Sequence, residues 1–237
     1  EDSKTSSMVV AYEAAGEPID VKLTGVFVVQ TIDQMPAKDQ VQIGDRIIAI
    51  DDVEVKEPKD LVDYVQEKEI DERVILTIER EEEVLKEEIP IRHFPDHKDK
   101  KGLGIQLIAD QVADPKRPVE IQSGHIGGPS AGIMFALEIH NQIVEEDITK
   151  GYAIAGTGEI DIDGKVLRVG GVDKKVIAAD RKNIDIFFVP HEQGHQNSNY
   201  RLAKQTARAI ETEMQIVPID SFQDALDYLE QLERKHN

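Results

Sequence analysis

The chain has 237 residues, of which 40% are hydrophobic and 32% charged, so its composition is that of a globular protein with apolar residues for one or two cores. Its formal net charge of −19 argues against a nucleic-acid partner, because the phosphates would be repelled. Cysteine is absent, which excludes disulfides, thiolate metal ligands and a cysteine nucleophile.

The N-terminal residues give a weak signal. No apolar run in the sequence is long enough to cross a membrane, and no signal peptide is visible. Since the chain opens with Glu1 rather than methionine, we expect residues 1–15 to be part of a linker from a missing N-terminal membrane anchor. Within them, Glu1–Ser7 is predicted to be frayed, and Met8–Ala15 to be a short helix or an entering strand.

Residues 16–95 have the pattern of a small β-rich domain. Pro58–Glu67 is predicted to be a helix, because proline suits a first turn and Leu61, Val62 and Val65 form one apolar face. Runs rich in β-branched residues predict the strands of this domain, which are Lys22–Ile32, the segment up to Ile50 that follows a tight turn at Gly44, Arg73–Arg80 and Val84–Ile91.

Three spaced elements in this segment carry a family resemblance, namely Gly25–Val28, Met35–Ala37 and Ile43–Ile50, the last followed by Val53. Together they resemble a PDZ domain of the kind attached to bacterial proteases; the simpler interpretation is a β-rich domain that only packs on its neighbour. The resemblance implies binding of an extended peptide as an added strand, with its terminal carboxylate held by backbone amides. Leu23–Gly25 is a candidate for the carboxylate-binding loop.

Residues 96–237 form the predicted second domain, and His93–Lys101 reads as the linker before it. Strands and helices follow one another here in no strict βαβ order, so the predicted class is α+β. The predicted strands are Gly104–Ile108, Pro118–Ile121, a hairpin turning at Asp163-Gly164, Ile184–Val189 and Ile216–Ile219. The predicted helices are Ile133–Val144, Val172–Arg181, Tyr200–Met214 and Phe222–Leu232.

The stretch Gly124–Gly132 surrounds Ser130 with glycines and one proline, directly before the predicted helix Ile133–Val144. The first amides of a helix point outward unpaired, so they can hold an oxyanion beside a serine nucleophile. A serine hydroxyl is a weak nucleophile, however, and needs a base.

Histidine is the first kind of base to consider, but no histidine lies where orientation by a buried carboxylate is suggested. We interpret these residues as surface or loop histidines: His125, His140, His191 and His195.

Lysine is the second kind of base, and it needs a pKa lowered by several units through burial or a nearby positive dipole. Lys174 and Lys175 follow the pair Gly170-Gly171 in a largely apolar helix. Helical spacing gives each lysine an apolar neighbour, so the pattern alone does not choose between them, and both could be solvated helix lysines.

Three blocks in order resemble the signature of the Lon protease domain: Gly128–Gly132, Thr157–Ile160 and Gly170–Ala179. The resemblance implies a serine–lysine dyad, with Ser130 as nucleophile, Lys175 as base and Thr157 helping to hold the lysine. Backbone amides around Gly128, Pro129 and Ala131 would support the nucleophile and its oxyanion. No cofactor and no metal are implied.

Two departures from that family pattern are visible. Gly127 stands where Lon enzymes often carry an acidic residue, and no Gly-x-x-x-x-Gly-Lys-Ser/Thr loop occurs in the sequence. The combination is similar to the PDZ–Lon proteases of Gram-positive bacteria. That similarity implies an ATP-independent serine endopeptidase at the extracytoplasmic face of the cell membrane, acting on small membrane-associated or secreted proteins and peptides, with the PDZ domain recruiting substrate or regulating cleavage.

Two other functions stay open on the sequence. The chain could be a PDZ peptide-binding module with an inactive protease-like domain, although Ser130, Thr157 and Lys175 are all present. It could also be a small-molecule kinase, since a glycine-serine loop before a helix can cradle phosphate. No calcium-loop spacing is found.

Overall fold

The computed structural model describes residues 3–119 and 128–235, and the chain divides into two compact units. The first unit is Val21–Val112. The second unit combines the residues up to Asp20 with those from Ala113 onward, so it is discontinuous in sequence. Within the described residues, no helix is both long enough and apolar enough to cross a bilayer.

The expected boundaries were 1–15, 16–95 and 96–237. The first unit, Val21–Val112, starts later and ends later than the expected domain 16–95. Helix α1 (Ser3–Ala14) is regular, not frayed or linker-like, and belongs to the second unit. The predicted linker forms an antiparallel hairpin of β6 (Arg92–Phe94) and β7 (His97–Gly102) inside the first unit.

The first unit is built on one sheet with the strand order β5-β4-β2-β1-β8, with β3 paired to β2. Helix α2 (Pro58–Glu67) contributes Leu61 and Val65 to the core, as its predicted apolar face requires. Strand β8 lies at one edge of the sheet. The strands are β1 (Ile19–Thr31), β2 (Arg46–Ile50), β3 (Val53–Glu54), β4 (Arg73–Arg80), β5 (Glu83–Pro90) and β8 (Ile105–Pro115).

The second unit contains a three-stranded sheet of order β13-β12-β9, and both pairings are parallel. A separate hairpin joins β10 to β11 across the predicted turn at Gly164, whose φ of 80° suits glycine. The strands are β9 (Ile154–Gly156), β10 (Glu159–Ile160), β11 (Val166–Leu167), β12 (Ile186–Pro190) and β13 (Gln215–Ile219). The helices besides α1 are α3 (Gly132–Ile143), α4 (Val172–Asp180), α5 (Asn199–Ala209) and α6 (Phe222–Glu230).

Strand β12 is buried along its whole length because it is the central strand, with helices packed on both faces. Ile186 and Phe188 point into the cluster that holds residues of α3 and α6. Phe187 and Val189 point the other way, into the cluster of α4 and α5. Successive side chains of a strand point to opposite faces, so the five consecutive apolar residues of β12 contribute to both clusters and connect them.

The predicted α+β class is confirmed, since helices and strands mix throughout. The parallel connections from β9 through α4 to β12, and from β12 through α5 to β13, are more regular than the sequence indicated. Pro118 and Val119 lie outside any strand, and the rest of that predicted strand falls beyond the described residues. The same holds for Gly124–Gly127, including His125.

Candidate active site

Ser130 lies in a 3₁₀ turn, Pro129–Ala131, that runs directly into α3 at Gly132. We call Gly128–Gly132 the Ser130 turn. The amide of Ala131 donates to the Gly128 carbonyl at 3.2 Å, and the amide of Gly132 donates to the Pro129 carbonyl. Proline at the first position suits such a turn, because it has no amide hydrogen to lose and its φ is already fixed.

The Ser130 turn is held against the segment between β9 and β10. The Ser130 carbonyl accepts from the Gly158 amide at 2.9 Å and from the Thr157 hydroxyl at 3.0 Å. The Ile133 amide in turn donates to the Gly158 carbonyl at 3.1 Å. These three bonds fix the backbone on which the Ser130 side chain stands.

Glycine is required at two points of this contact. A Cβ at Gly158 would lie 2.6 Å from Val166 Cγ1, and a Cβ at Gly132 would lie 2.9 Å from the Ile160 backbone nitrogen. Both distances are shorter than normal packing allows, so larger residues would push the two segments apart.

Thr157 follows β9 and is only 1% exposed. Its amide donates to the Phe188 carbonyl at 2.9 Å, which continues the pairing of β9 with the central strand. The sheet therefore determines where the threonine hydroxyl lies.

Lys175 reaches the same hydroxyl from the other side. Helix α4 starts after Gly171, which has a left-handed φ of 68°, and the Lys175 amide donates to the Gly171 carbonyl at 3.2 Å. The Lys175 Nζ donates to Thr157 Oγ1 at 2.8 Å. Lys174 is exposed, so the structure separates the two lysines that spacing alone left equivalent.

The surroundings of Lys175 favour a neutral amine. Burial lowers the pKa of its ammonium below the ordinary lysine value. Its position in the first turns of α4 acts in the same direction, since the amino end of a helix is a region of positive potential. The Thr157 hydroxyl has one proton and gives it to the Ser130 carbonyl, so toward Lys175 it acts as an acceptor.

Some backbone amides of the Ser130 turn already donate hydrogen bonds within the turn. Pro129 has no amide hydrogen and the Ala131 amide is bonded to Gly128, so from this stretch Gly128 and Ser130 are the amides to consider for an oxyanion. Gly127, where an acidic residue is common in the resembled family, lies outside the described residues.

The described histidines lie in other settings. For His140 the interpretation as a surface or loop histidine is wrong, because this residue is buried in α3 against the Phe222 ring, where burial lowers its pKa. His191 Nδ1 lies 3.3 Å from Asp220 Oδ2, with both side chains more than a third exposed. His195 Nδ1 accepts from the Asn197 amide at 3.2 Å. Across residues 3–119 and 128–235, no cluster of three or more His, Asp or Glu side chains is arranged to hold a metal ion.

A second candidate site is a groove of 410 Å³ in the first unit. Its walls are α2, through Leu61, Val62 and Val65, and the edge strand β8, through Ile105 and Leu107. The turn Gly102–Gly104 also lines the groove.

The carboxylate-loop candidate Leu23–Gly25 is wrong, because these residues lie inside strand β1 and not in a loop. The turn Gly102–Gly104 before β8 was missed in the sequence. Its glycines were a usable signal: Gly104 has a φ of 88°, and a Cβ there would lie 2.1 Å from Met35 Cβ.

Family models match both parts of the chain. Residues 116–231 match the Lon protease (S16) C-terminal proteolytic domain, and residues 6–91 match the PDZ domain. The second unit thus contains a Lon-type proteolytic domain. The chain thus carries a match to the PDZ domain followed by a match to the Lon proteolytic domain.

The curated relatives are Lon proteases that are much longer than this chain. The chain is 33% identical over 97 residues to Lon protease of Aster yellows witches'-broom phytoplasma, which is 41% of this chain and 11% of the relative. It is 35% identical over 102 residues to the Campylobacter jejuni Lon protease, 43% of this chain and 12% of the relative. It is 41% identical over 76 residues to the Dictyoglomus thermophilum Lon protease, which is 31% of this chain and 9% of the relative.

Solved structures match over about a third of the chain. One is a Geobacillus thermodenitrificans protein solved in solution, 34% identical, with a TM-score of 0.32 over 35% of this chain and 97% of that one. Another is the PDZ domain of an SdrC-like protein from Listeria monocytogenes, 26% identical, with a TM-score of 0.32 over 35% of this chain and 87% of that one.

Replacing Lys175 with methionine should stabilise the protein at neutral pH, because burial disfavours the protonated amine in the native state only. Below about pH 10.4 the unfolded chain binds more protons at this site than the native chain, so wild-type stability relative to Lys175→Met should rise with pH. Denaturant unfolding at about pH 7 and about pH 9.5 measures both effects.

Lys174→Met is the matched control, since it removes the same charge from the exposed neighbouring residue. It should change the free energy of unfolding by less than about 0.5 kcal/mol. Equal pH profiles for the two variants would contradict a depressed Lys175 pKa.

Proposed function

We propose that this protein is a serine endopeptidase in which Ser130 and Lys175 form the catalytic dyad. One observation carries the proposal: the partly buried Lys175 amine is tied through the Thr157 hydroxyl to the backbone of Ser130. A lysine that is linked to the backbone of a serine through one hydroxyl, and whose pKa is lowered by burial, has the properties that the serine needs in its base.

In the proposed reaction, neutral Lys175 takes the proton of the Ser130 hydroxyl while its Oγ attacks the carbonyl carbon of the scissile peptide bond. The amides of Gly128 and Ser130 donate to the resulting oxyanion. The carbon–nitrogen bond then breaks, and the Lys175 ammonium gives its proton to the leaving amine, which leaves an ester on Ser130.

A water molecule completes the cycle. Lys175, neutral again, takes one proton of the water as its oxygen attacks the ester carbonyl. The second tetrahedral intermediate collapses, the new carboxyl terminus departs, and the proton returns from Lys175 to Ser130 Oγ. Thr157 takes no proton in this scheme and holds the amine in place throughout.

ATP takes no part in the proposed cleavage, in line with the lack of a phosphate-binding loop in the 237-residue sequence. Small membrane-associated or secreted polypeptides are the proposed substrates, and the outer face of the cell membrane is the proposed location. The resemblance to PDZ–Lon proteases supports this proposed location. Surface labelling of intact cells tests it.

For the first unit, we propose that a peptide adds to β8 as an extra strand, because β8 lies at the edge of the sheet and faces α2 across an apolar groove. The turn Gly102–Gly104, which lines this groove, would then offer backbone amides to the terminal carboxylate. Such binding would bring substrates to the protein or regulate it.

Ser130→Ala should lower kcat for peptide cleavage by at least about 10³-fold, since the nucleophile is lost while the fold is retained. Lys175→Arg should lower kcat to a similar extent, because a guanidinium stays protonated and cannot act as a base. Lys174→Arg is the control and should cleave at the wild-type rate. The measurement is hydrolysis of fluorogenic peptides with and without ATP.

Cleavage retained by both Ser130→Ala and Lys175→Arg would refute the dyad. Folded wild-type protein that neither cleaves nor reacts with a fluorophosphonate would favour the inactive binding module instead.

Thr157→Val should lower kcat about tenfold or more, because Lys175 loses the acceptor that positions it and valine has nearly the same volume. Thr157→Ser keeps the hydroxyl and should retain most of the activity. The pH profile of kcat/KM separates positioning from folding, since a released amine should titrate closer to an ordinary lysine. Identical rates and pH profiles for wild type and Thr157→Val would contradict this role.

Val62→Glu should weaken binding of a fluorescent hexapeptide that ends in a free valine carboxylate by about tenfold or more, since it places a charge on the wall of the groove. Val53→Glu is the matched control, because both valines are 50% exposed and Val53 does not line the groove. The C-terminal amide of the same peptide should bind weakly to wild type. Equal affinity of acid and amide would argue against carboxylate capture.

A further inference from the structure

Helix α1 is part of the second unit, although it precedes the whole first unit in sequence and the PDZ model match begins inside it, at residue 6. Its residues Ala11 and Tyr12 are fully buried, and they pack against Ile139 and Ile143 of α3. The helix that continues from the Ser130 turn therefore has α1 as a direct neighbour.

The polar end of α1 meets the Ser130 turn itself. Ser7 Oγ lies 2.9 Å from the Gly132 carbonyl oxygen and 2.5 Å from the Ser3 carbonyl oxygen, so its single proton serves either acceptor. Ser3 Oγ donates to the Pro129 carbonyl at 3.3 Å. Serines of α1 thus contact the carbonyls of Pro129 and Gly132, which flank Ser130 on its two sides.

This contact depends on small residues that fit one another. Ser7 is 0% exposed, and the Cβ that Gly132 lacks would lie 2.8 Å from Ser3 Oγ. A serine inside a helix often bonds only to the carbonyl four residues earlier, which would explain the Ser3 contact by itself. The second acceptor at Gly132 is across the interface, 125 residues away in sequence, and it requires α1 to dock at this depth.

We propose that Ser7, assisted by Ser3, is a positioning residue of the active site, and that α1 belongs functionally to the protease and not to the PDZ domain. This inference rests on the proposed Ser130 chemistry. Thr157 and Gly158 hold the Ser130 carbonyl from one side, and α1 holds the two flanking carbonyls from another. The direction in which Ser130 Oγ points is set between these two supports.

The test compares single substitutions in α1 of the full chain. Ser7→Ala should lower kcat for a fluorogenic peptide about tenfold and leave KM within about twofold, because the reacting hydroxyl is displaced while substrate binding is not. Ser6→Ala is the matched control, since Ser6 is equally buried on the same helix and its hydroxyl has no partner among the described residues. Tyr12→Phe is a second control: it removes a bond from α1 to the Arg117 carbonyl and none to the Ser130 turn.

Melting temperatures of all variants are measured beside the kinetics. A loss of kcat confined to Ser7→Ala supports the inference. Equal activity of Ser7→Ala and Ser6→Ala, or a loss shared by all three variants in proportion to their melting temperatures, overturns it. If Ser7→Ala does not fold, Ser3→Ala decides, because its bond is at the surface: a reduced kcat supports the inference and a wild-type kcat overturns it.

Ser130→Ala separates this inference from the proposed function. Cleavage retained by that variant means that the dyad itself is wrong. Cleavage abolished in Ser130→Ala but unchanged in Ser7→Ala and Ser3→Ala means that only the role of α1 is wrong.

Discussion

The candidate site of the second unit depends on the two hydrogen bonds of the Thr157 hydroxyl. This hydroxyl has one proton and two lone pairs, and the structure uses them in opposite directions, as donor to the Ser130 carbonyl and as acceptor from Lys175 Nζ. Partial burial makes the charged form of the Lys175 amine less favourable, and the amine keeps its place only if something holds it. One hydroxyl of a residue that is 1% exposed does so. It also connects the Ser130 turn to helix α4, at two residues, Ser130 and Lys175, that lie 45 positions apart in the sequence.

The parallel sheet explains why that hydroxyl is where it is. The Thr157 amide bonds to Phe188 of the central strand, and this strand is fixed by apolar contacts on both faces. Helix α4 is packed on one of these faces and α3 on the other. The positions of Lys175 and of the Ser130 turn therefore come from the same packing, and ordinary hydrophobic burial provides the precision that the polar contacts need.

Much of the local structure could be predicted from the sequence. The bounds of α2 and β4 agree with the predicted bounds, because Pro58 marks a helix start and the apolar periodicity is strong. The order and type of most elements of the second unit were also predictable. Lys175 could not be distinguished from Lys174 by periodicity, since a helix of nine residues gives each lysine apolar neighbours. What separates them is tertiary packing, since Lys175 is partly buried and donates to Thr157, whereas Lys174 is exposed.

The structure differs most from the sequence prediction at the N-terminus, where a regular helix replaces a frayed linker, and in the second unit, which is discontinuous in sequence. Both differences have one physical origin. Thr5, Ser6 and Ser7 are buried, yet a run of small hydroxyl residues reads as a solvated end of the chain. Prediction from a sequence pattern places such residues at the solvent-exposed surface. It also assumes that a domain is one continuous stretch of the chain. The turn Gly102–Gly104, which lines the groove, was missed for a related reason, since the acidic and basic residues before it resemble a linker and not the hairpin that they form.

The discontinuity of the second unit has a consequence for how the chain tolerates breakage. Strands β1 and β8 are neighbours in one sheet, so the two segments that enter and leave the first unit run side by side. A protease that nicked an exposed turn of the first unit would cut the chain into two pieces, one carrying α1 and the other carrying Ser130 and Lys175. The contacts of α1 with α3 would still hold those pieces together, because they are buried and independent of the intervening peptide bonds. The protein is in this sense a two-fragment complex whose halves happen to be joined through a PDZ domain.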